Sequence, residues 1–570
     1  MRKVSQIVSL HLWNCLGVLL FLHLPTVAMA VPELQDLSLE QKVGQLLIVG
    51  FQGTELDAVT RKHFELIKPG AIILFKRNIA TPFQTALLNQ SLQDTASKSS
   101  RVPLLLAVDQ EGGNVVRIPT DPLLPSAHAL GSSNDPDLLF SFGRETGTVL
   151  KNLGFNMNLA PVLDLGSYQW DFLGTRVFST NPQTVAQLGT KFAEGLLSAG
   201  ILPTAKHFPG AGGLRADTHL SRVTASNPEN NQKVPFREFS QIYPSAIMMS
   251  HVSYTSLDPS GLPASLSHKI ITEKLRQELN FEGLVVTDDL LMKGVQVDGS
   301  LEKTALRAVL AGDDLIMLSW SRRDQWRVYQ SLLKAARNGA LPKNILDEKV
   351  ARILKIKKIL AANQLAPKRF PGWASPRLAS LNDALLGNIL ENSSLKSLAV
   401  SSETQFSVFS SSPHFTEQLR RSLGQAPETF AFDVRNSTGL RRTVSSRLSD
   451  QHRVLIFLVQ NRAQYQWISQ LTNQLPEDQL SRSLIVNIGG PAQDLTKQKR
   501  HQVDAFFQFP HLGWEIGKTL RGLSEPSLRP PTQALLSNEQ SHVGPAANPY
   551  HPEMRSPASP LQPSIFPEPF

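Results

Sequence analysis

Between Lys206 and Leu220 the chain reads KHFPGAGGLRADTHL, which sets two histidines, two cations and an aspartate around three glycines. Glycines cost entropy to order, so so polar a stretch is either a plain surface excursion or a mobile catalytic element. Asp217 and His219 are separated by one residue. On extended backbone such residues project to the same side. The carboxylate can then hold one imidazole nitrogen and leave the other to give or take a proton, which is a general acid/base pair. Two other readings fit the same residues. One is a solvated turn in which Asp217 caps a backbone N–H and His219 is idle. The other is a metal site built from His207, Asp217 and His219, although no paired-histidine helix motif accompanies them. A second candidate is VVTDDLLMKG (285–294), where Asp288 and Asp289 end a buried apolar run. A carboxylate placed there must be paired or hydrogen-bonded. Asp289 or Thr287 can cap a following helix, which leaves one acid for catalysis.

The elements that must position these groups are short apolar runs: LLIVGF (46–51), AIILF (71–75), PLLLAVDQE (103–111), FNMNLAPVLDL (155–165), LPTAKHFPG (202–210), AIMMSHVSY (246–254), GLVVTDDL (283–290) and DLIML (314–318). They are continuous rather than alternating, as in strands buried on both faces of a parallel sheet. Helix-period segments such as 185–197 and 302–310 separate them. Eight strands alternating with helices predict a (β/α)8 TIM barrel. Polar residues gather where the runs end: Asp109 and Glu111, Asp164, Lys206 and His207, His251, Asp288 and Asp289. In a barrel those ends share the face that carries active sites.

A helix near 346–360 closes this unit, so the barrel is expected over 31–363. Residues 364–378 are proline-rich and basic and read as a linker. Further apolar runs at 397–400, 406–410, 429–434, 454–460, 483–488 and 503–509 predict a smaller α/β sandwich domain over 379–523. Residues 524–570 contain eleven prolines and little apolar periodicity, the composition of a disordered tail. At the other end Arg2 and Lys3 precede an apolar run that finishes at AMA, the pattern of a signal peptide over 1–30. The sole cysteine, Cys15, lies within it, so a processed chain needs no disulfide and suits an oxidising compartment. Cysteine-ligated zinc and a cysteine nucleophile are excluded. The formal charge of +9 favours attraction to anionic surfaces such as a cell wall. Basic runs interleaved with aromatics are missing, which argues against nucleic acid.

Taken together, KHFPG, the Asp-Thr-His triplet, VVTDDLLMKG, AVDQEGGNVVRI (107–118), FNMNLAPVLDL, MMSHV (248–252) and AGDDLIML (311–318) resemble glycoside hydrolase family 3, specifically its bacterial β-N-acetylglucosaminidase branch. The resemblance covers about residues 35–362. It implies that Asp288 is the nucleophile, His219 the acid/base and Asp217 its partner. It also implies that Asp109, Arg117, Arg176, Lys206 and His207 bind sugar, with no metal and no cofactor. Salt bridges at the barrel mouth are the competing role for the cations, for Arg117 above all. The chain departs from the branch at three places. Ala211 stands where it has histidine, which leaves the resting position of the loop open. Thr175 stands where it has aspartate before Arg176, which leaves that arginine with less to anchor it. Asn114 stands where it has arginine. The expected activity is that of a retaining exo-β-N-acetylglucosaminidase acting on cell-wall (peptidoglycan) fragments in the periplasm or outside the cell. Its partners would be GlcNAc-containing oligosaccharides or muropeptides, and the chain would be monomeric, without stable membrane insertion after processing. A relative with β-glucosidase or phosphorylase activity and a non-hydrolytic sugar-binding protein are the alternatives. For the leader, N-terminal sequencing of the exported protein is expected to begin at Val31; a chain starting at Met1 and held in membrane would refute processing.

Overall fold

The run at 46–51 pairs as a strand over Leu47–Val49 (β1), with all three side chains buried. The computed structural model describes residues 31–166, 173–214, 221–225, 230–295, 299–362 and 372–393 and, with interruptions that include 488–500 and 505–511, residues 395–520. Asp217 and His219, the leader, most of the linker and the proline-rich tail lie outside the described residues.

Seven more strands follow β1 around the barrel: Ala71–Leu74 (β2), Leu105–Val108 (β3), Met157–Asn158 (β4), Leu202–Phe208 (β5), Ala246–Met249 (β7), Leu284–Asp289 (β9) and Leu315–Leu318 (β10). Their order is β1-β2-β3-β4-β5-β7-β9-β10, and β10 returns to β1 in parallel with Leu47 opposite Ile316. All eight predicted runs therefore contribute a barrel strand. The remaining two strands of this region, Val223–Ala225 (β6) and Val252–Tyr254 (β8), pair with each other outside the barrel. The run at 246–254, expected as one strand, is thus divided at Ser250 and His251. The run at 155–165 yields only β4 and an isolated bridge from Val162 to Lys206, and side-chain amides add to the backbone bonds beside it. Leu106 N–H donates to Asn156 Oδ1 at 2.7 Å, and Gln110 N–H donates to Asn158 Oδ1 at 3.0 Å.

Helices begin where the sequence supplies both a cap and a proline. Thr81, Asp135, Asn181 and Ser375 each accept an N–H of the first turn, and proline follows each of them. The cap satisfies a donor that the helix cannot, and proline there loses no hydrogen bond.

A second sheet consists of Gln405–Phe409 (β11), Glu428–Phe430 (β12), Arg453–Val459 (β13), Ser483–Asn487 (β14) and His501–Asp504 (β15). All neighbours are parallel, in the order β12-β11-β13-β14-β15, an arrangement typical of doubly wound α/β folds. The run at 397–400 lies partly outside the described residues. Helix Pro376–Asn392 lies between sheet and barrel and packs on helix Pro136–Asn152. Ser375 Oγ donates to Glu145 at 2.6 Å and Asn388 Nδ2 to Asp135 at 3.0 Å. Leu150, Leu378, Leu385 and Val408 belong to one continuous apolar core.

At the end of the barrel opposite the predicted site, Asp314 is fully buried before β10. Its carboxylate accepts from Arg276 at 2.6 Å, from Val285 N–H at 2.8 Å and from Arg352. Burial alone would raise this carboxyl, but Arg276 and Arg352 outweigh it and hold it below the usual range. Its neighbour Asp313 has neither oxygen partnered among the described residues, and burial pushes that carboxyl well above the usual range. Removing Asp314 strands two largely buried cations. Asp314→Ala is therefore expected to cost about 3–5 kcal/mol of stability, read from urea unfolding midpoints, while the site at the other end keeps its hydrogen bonds.

Candidate active site

Most described candidate residues sit at or beyond the C-terminal end of a barrel strand, and Arg117 and Arg176 come from the loops after β3 and β4. Asp109 and Glu111 follow β3, Asp164 follows β4, Lys206 and His207 lie late in β5, and Asp288 lies at the end of β9. The apolar part of each run is drawn into the barrel, so the first polar side chains emerge together at one rim.

The centre of that rim is an ion cluster. Lys206 Nζ lies 2.9 Å from Asp109 and 2.6 Å from Glu111. Arg176 holds both Glu111 oxygens, at 2.8 and 2.9 Å, in the two-pronged geometry its planar guanidinium favours. Burial would raise the Glu111 carboxyl, yet Arg176 and Lys206 together hold it well below the carboxylate range. Burial would likewise lower Lys206, but Asp109 and Glu111 hold it raised and charged. Arg117 is the looser cation, with Nη2 3.7 Å from Asp109 and Nε unpartnered among the described residues. Arg117 thus keeps a salt bridge at the mouth, as expected of it, but a looser one than those of Lys206 and Arg176. The tight pairs belong to Lys206 and Arg176, and Arg117 retains spare donors. Glu111 also supplies the anchor that Thr175 cannot give Arg176.

Next to this cluster, the buried carboxylate of Asp164 organises the start of the glycine-rich loop. It accepts from His207 Nδ1 at 2.7 Å and from Ala211 N–H at 2.6 Å. The bond fixes the proton on Nδ1 and leaves Nε2 for other contacts. Gln232 brackets Gly212, accepting its N–H at 3.3 Å and donating to its carbonyl at 2.9 Å. Tyr254 Oη donates to the Gly210 carbonyl. A β-carbon at Gly212 would meet the Leu165 carbonyl oxygen at 2.0 Å, so only glycine fits this approach. With Ala211 in place of histidine, the loop is therefore fixed through Gly212 by backbone bonds to Asp164 and Gln232.

On the far side, Asp288 Oδ1 accepts the N–H of Asp289 at 2.8 Å. Asp289 has a different task. Its carboxylate accepts from Leu291 N–H at 3.0 Å and from Ser319 Oγ, and burial raises its carboxyl above the usual value. His251 donates through Nε2 to the Asp289 carbonyl at 3.1 Å and accepts at Nδ1 from Ser265 at 2.7 Å. Thr287 accepts Met317 N–H at 3.0 Å and so joins β9 to β10 rather than capping a helix. Of the acidic pair, Asp289 is the one committed to structure. Glu111, Asp164 and His251 were visible only as strand-end polar residues, without a role. Ser319 gives no signal beyond following β10. Asp217 and His219 fall outside the described residues, so their placement is not among these contacts.

The glycosyl hydrolase family 3 N-terminal domain matches residues 38–356, more than half the chain. The chain belongs to glycosyl hydrolase family 3. It is a glycoside hydrolase in its relatives as well as its barrel. A β-hexosaminidase of Nitrosomonas eutropha is 36% identical over 283 residues, which span 48% of this chain and 80% of that protein. One from Photobacterium profundum is 36% identical over 282 residues, spanning 48% and 82%. Among solved structures, a family 3 β-N-acetylglucosaminidase from Paenibacillus sp. FPU-7 superposes with a TM-score of 0.70 at 28% identity, over 85% of this chain and 97% of that one. A β-N-acetylhexosaminidase from Beutenbergia cavernae gives 0.53 at 29% identity, over 56% and 99%.

The ion cluster makes a pH-dependent contribution to stability. Because the folded Glu111 carboxyl titrates below its unfolded value of 4.5, that contribution is complete above about pH 4.5 and is lost as pH falls towards the folded value. Glu111→Gln is expected to cost about 3–5 kcal/mol at pH 7. The gap to wild type should narrow below pH 4.5, as measured by urea midpoints across a pH series. A gap of constant size would show that the charge is not what matters.

Proposed function

We propose that this protein is a retaining exo-β-N-acetylglucosaminidase that removes terminal β-linked GlcNAc from cell-wall fragments. The observation that carries this reading is Asp288. It stands at the end of β9 beside a rim of sugar-hydroxyl donors and acceptors, in a family 3 chain whose named relatives are β-hexosaminidases. In this reading the Asp288 carboxylate attacks the anomeric carbon and forms a glycosyl–enzyme ester while the glycosidic oxygen leaves. His219, held by Asp217, protonates that oxygen and then takes a proton from the water that hydrolyses the ester, so the configuration is retained. A histidine suits both steps near neutrality because its ordinary pKa lies near 6.5. Arg117, whose Nη2 is held only loosely by Asp109, and His207, with its Nε2, are the groups best placed to take sugar hydroxyls. Lys206 and Arg176 give most of their donors to carboxylates, so they hold Asp109 and Glu111 in position and reach the sugar with what remains.

The peptidoglycan assignment rests on the predicted export and on the basic charge, +9 for the full chain and 9 − 2 = +7 once Arg2 and Lys3 leave with the leader. Phosphorolysis stays chemically open, since a neutral imidazole base repels a phosphate acceptor less than a carboxylate does.

The test is steady-state and burst kinetics of Asp288→Ala, His219→Ala and Asp217→Ala on a nitrophenyl GlcNAc glycoside and a natural disaccharide. Asp288→Ala should slow both substrates by several orders of magnitude. His219→Ala should lose about 10²–10⁴-fold on the disaccharide but less on the nitrophenyl glycoside, whose leaving group needs no acid. Its covalent intermediate should accumulate and be released by azide. Asp217→Ala should be a milder version. Equal losses on both substrates in the first step, with no response to azide, would remove His219 from the acid/base role.

A further inference from the structure

Two residues beyond β10, Trp320 leaves 52% of its surface exposed at the same rim as Asp288. It is not loosely placed. Its indole stacks on Phe75, the residue after β2, with ring centroids 5.9 Å apart and planes 26° from parallel. The Arg77 guanidinium lies 3.8 Å from the Trp320 ring and 4.3 Å from the Phe75 ring. Arg77 in turn donates to the Phe51 carbonyl and to the Ser319 carbonyl, both at 2.9 Å, so it spans the ends of β2, β1 and β10. Ser319, the residue before Trp320, is bonded through Oγ to Asp289, the neighbour of Asp288. The register brings Met317 opposite Asp289, so Trp320 rises from the strand next to the proposed nucleophile.

A large aromatic surface costs free energy to leave in water, and here a half-buried arginine, itself held by two carbonyls, keeps it in one orientation. Core packing does not explain it, because Phe75 and Arg77 cover only part of the ring. The position also separates it from the groups proposed to grip the sugar being removed. Asp109 and Arg117 come from the loop after β3, Arg176 from the loop after β4, and Lys206 and His207 from β5, across the mouth from β10. An aromatic face matches the C–H face of a pyranose and discriminates little among its hydroxyls.

We propose that Trp320, braced by Arg77 and Phe75, is the stacking platform for the sugar ring on the leaving-group side of the scissile bond. This rests on the glycosidase reading above. It adds that the enzyme prefers a pyranose aglycone, and that Trp320 is the residue setting that preference.

The experiment compares a methyl GlcNAc glycoside, which has no ring on the leaving side, with GlcNAc-β-1,4-GlcNAc. Trp320→Ala should lower kcat/KM on the disaccharide about three- to tenfold and leave the methyl glycoside within about twofold. Trp320→Phe should recover most of the loss. Thermal midpoints of both variants, expected to match wild type for so exposed a residue, separate folding from binding. Equal losses on both substrates, or no loss on the disaccharide, would overturn the proposal. Should wild type cleave neither GlcNAc substrate, the glycosidase reading fails and the platform is judged by binding. Binding of chitobiose and of cellobiose would then be titrated by isothermal calorimetry, a readout that does not depend on the indole being removed. A saturable change present in wild type and missing in Trp320→Ala supports the platform, and any other pattern refutes it.

Discussion

The buried salt cluster of Glu111, Lys206, Asp109 and Arg176 is the constraint around which the active end of the barrel is built. A carboxylate as deeply buried as Glu111 is costly unless its charge is matched. Two cations match it, and they come from different places, Lys206 from β5 and Arg176 from the loop beyond β4. The cluster therefore ties three strand ends together at the depth where the apolar core stops. Its net effect is a preorganised polar floor whose donors and acceptors need not rearrange when a neutral polyol arrives. Such a floor is worth more than the same groups on flexible side chains.

Much of the fold was legible because a parallel barrel writes itself as short continuous apolar runs. Strands such as AIIL and LLAV are buried on both faces, so no polar residue interrupts them. The helices were legible from their apolar period, as at 185–197 and 302–310, which fall within helices Pro182–Ser198 and Leu301–Ala311. Legibility failed where side chains add to the work of the backbone. Asn156 adds side-chain bonds to β3 and Asn158 to Gln110 just beyond it, and nothing in FNMNLAPVLDL distinguishes such asparagines from surface ones. The break in AIMMSHVSY is of the same kind, since Ser250 and His251 turn the chain from the barrel into a separate two-stranded pair.

For the site, residue types and strand ends located the candidates, but partners are a property of three dimensions. No spacing says that Glu111 rather than a residue beside Thr175 anchors Arg176. Nor does any spacing say that Asp109, which pairs with Arg117, is bound more tightly by a lysine 97 residues later in the chain. Asp288 and Asp289 were equivalent on paper. Hydrogen bonds from Ser319 and Leu291 separate them by occupying the second.

The helix Pro376–Asn392 has a consequence for how such chains are assembled. Its asparagines reach into barrel loops, with Asn388 on Asp135, Asn382 on the Leu123 carbonyl and Asn392 on the Ser133 carbonyl. Asp135 is also the cap of the barrel helix on which this helix rests. The appended sheet is thus not interchangeable cargo. Moving it to another family 3 barrel would require carrying along the 121–135 segment that receives it. Exchange between lineages should succeed only when the receiving loop and the visiting helix travel as a matched set.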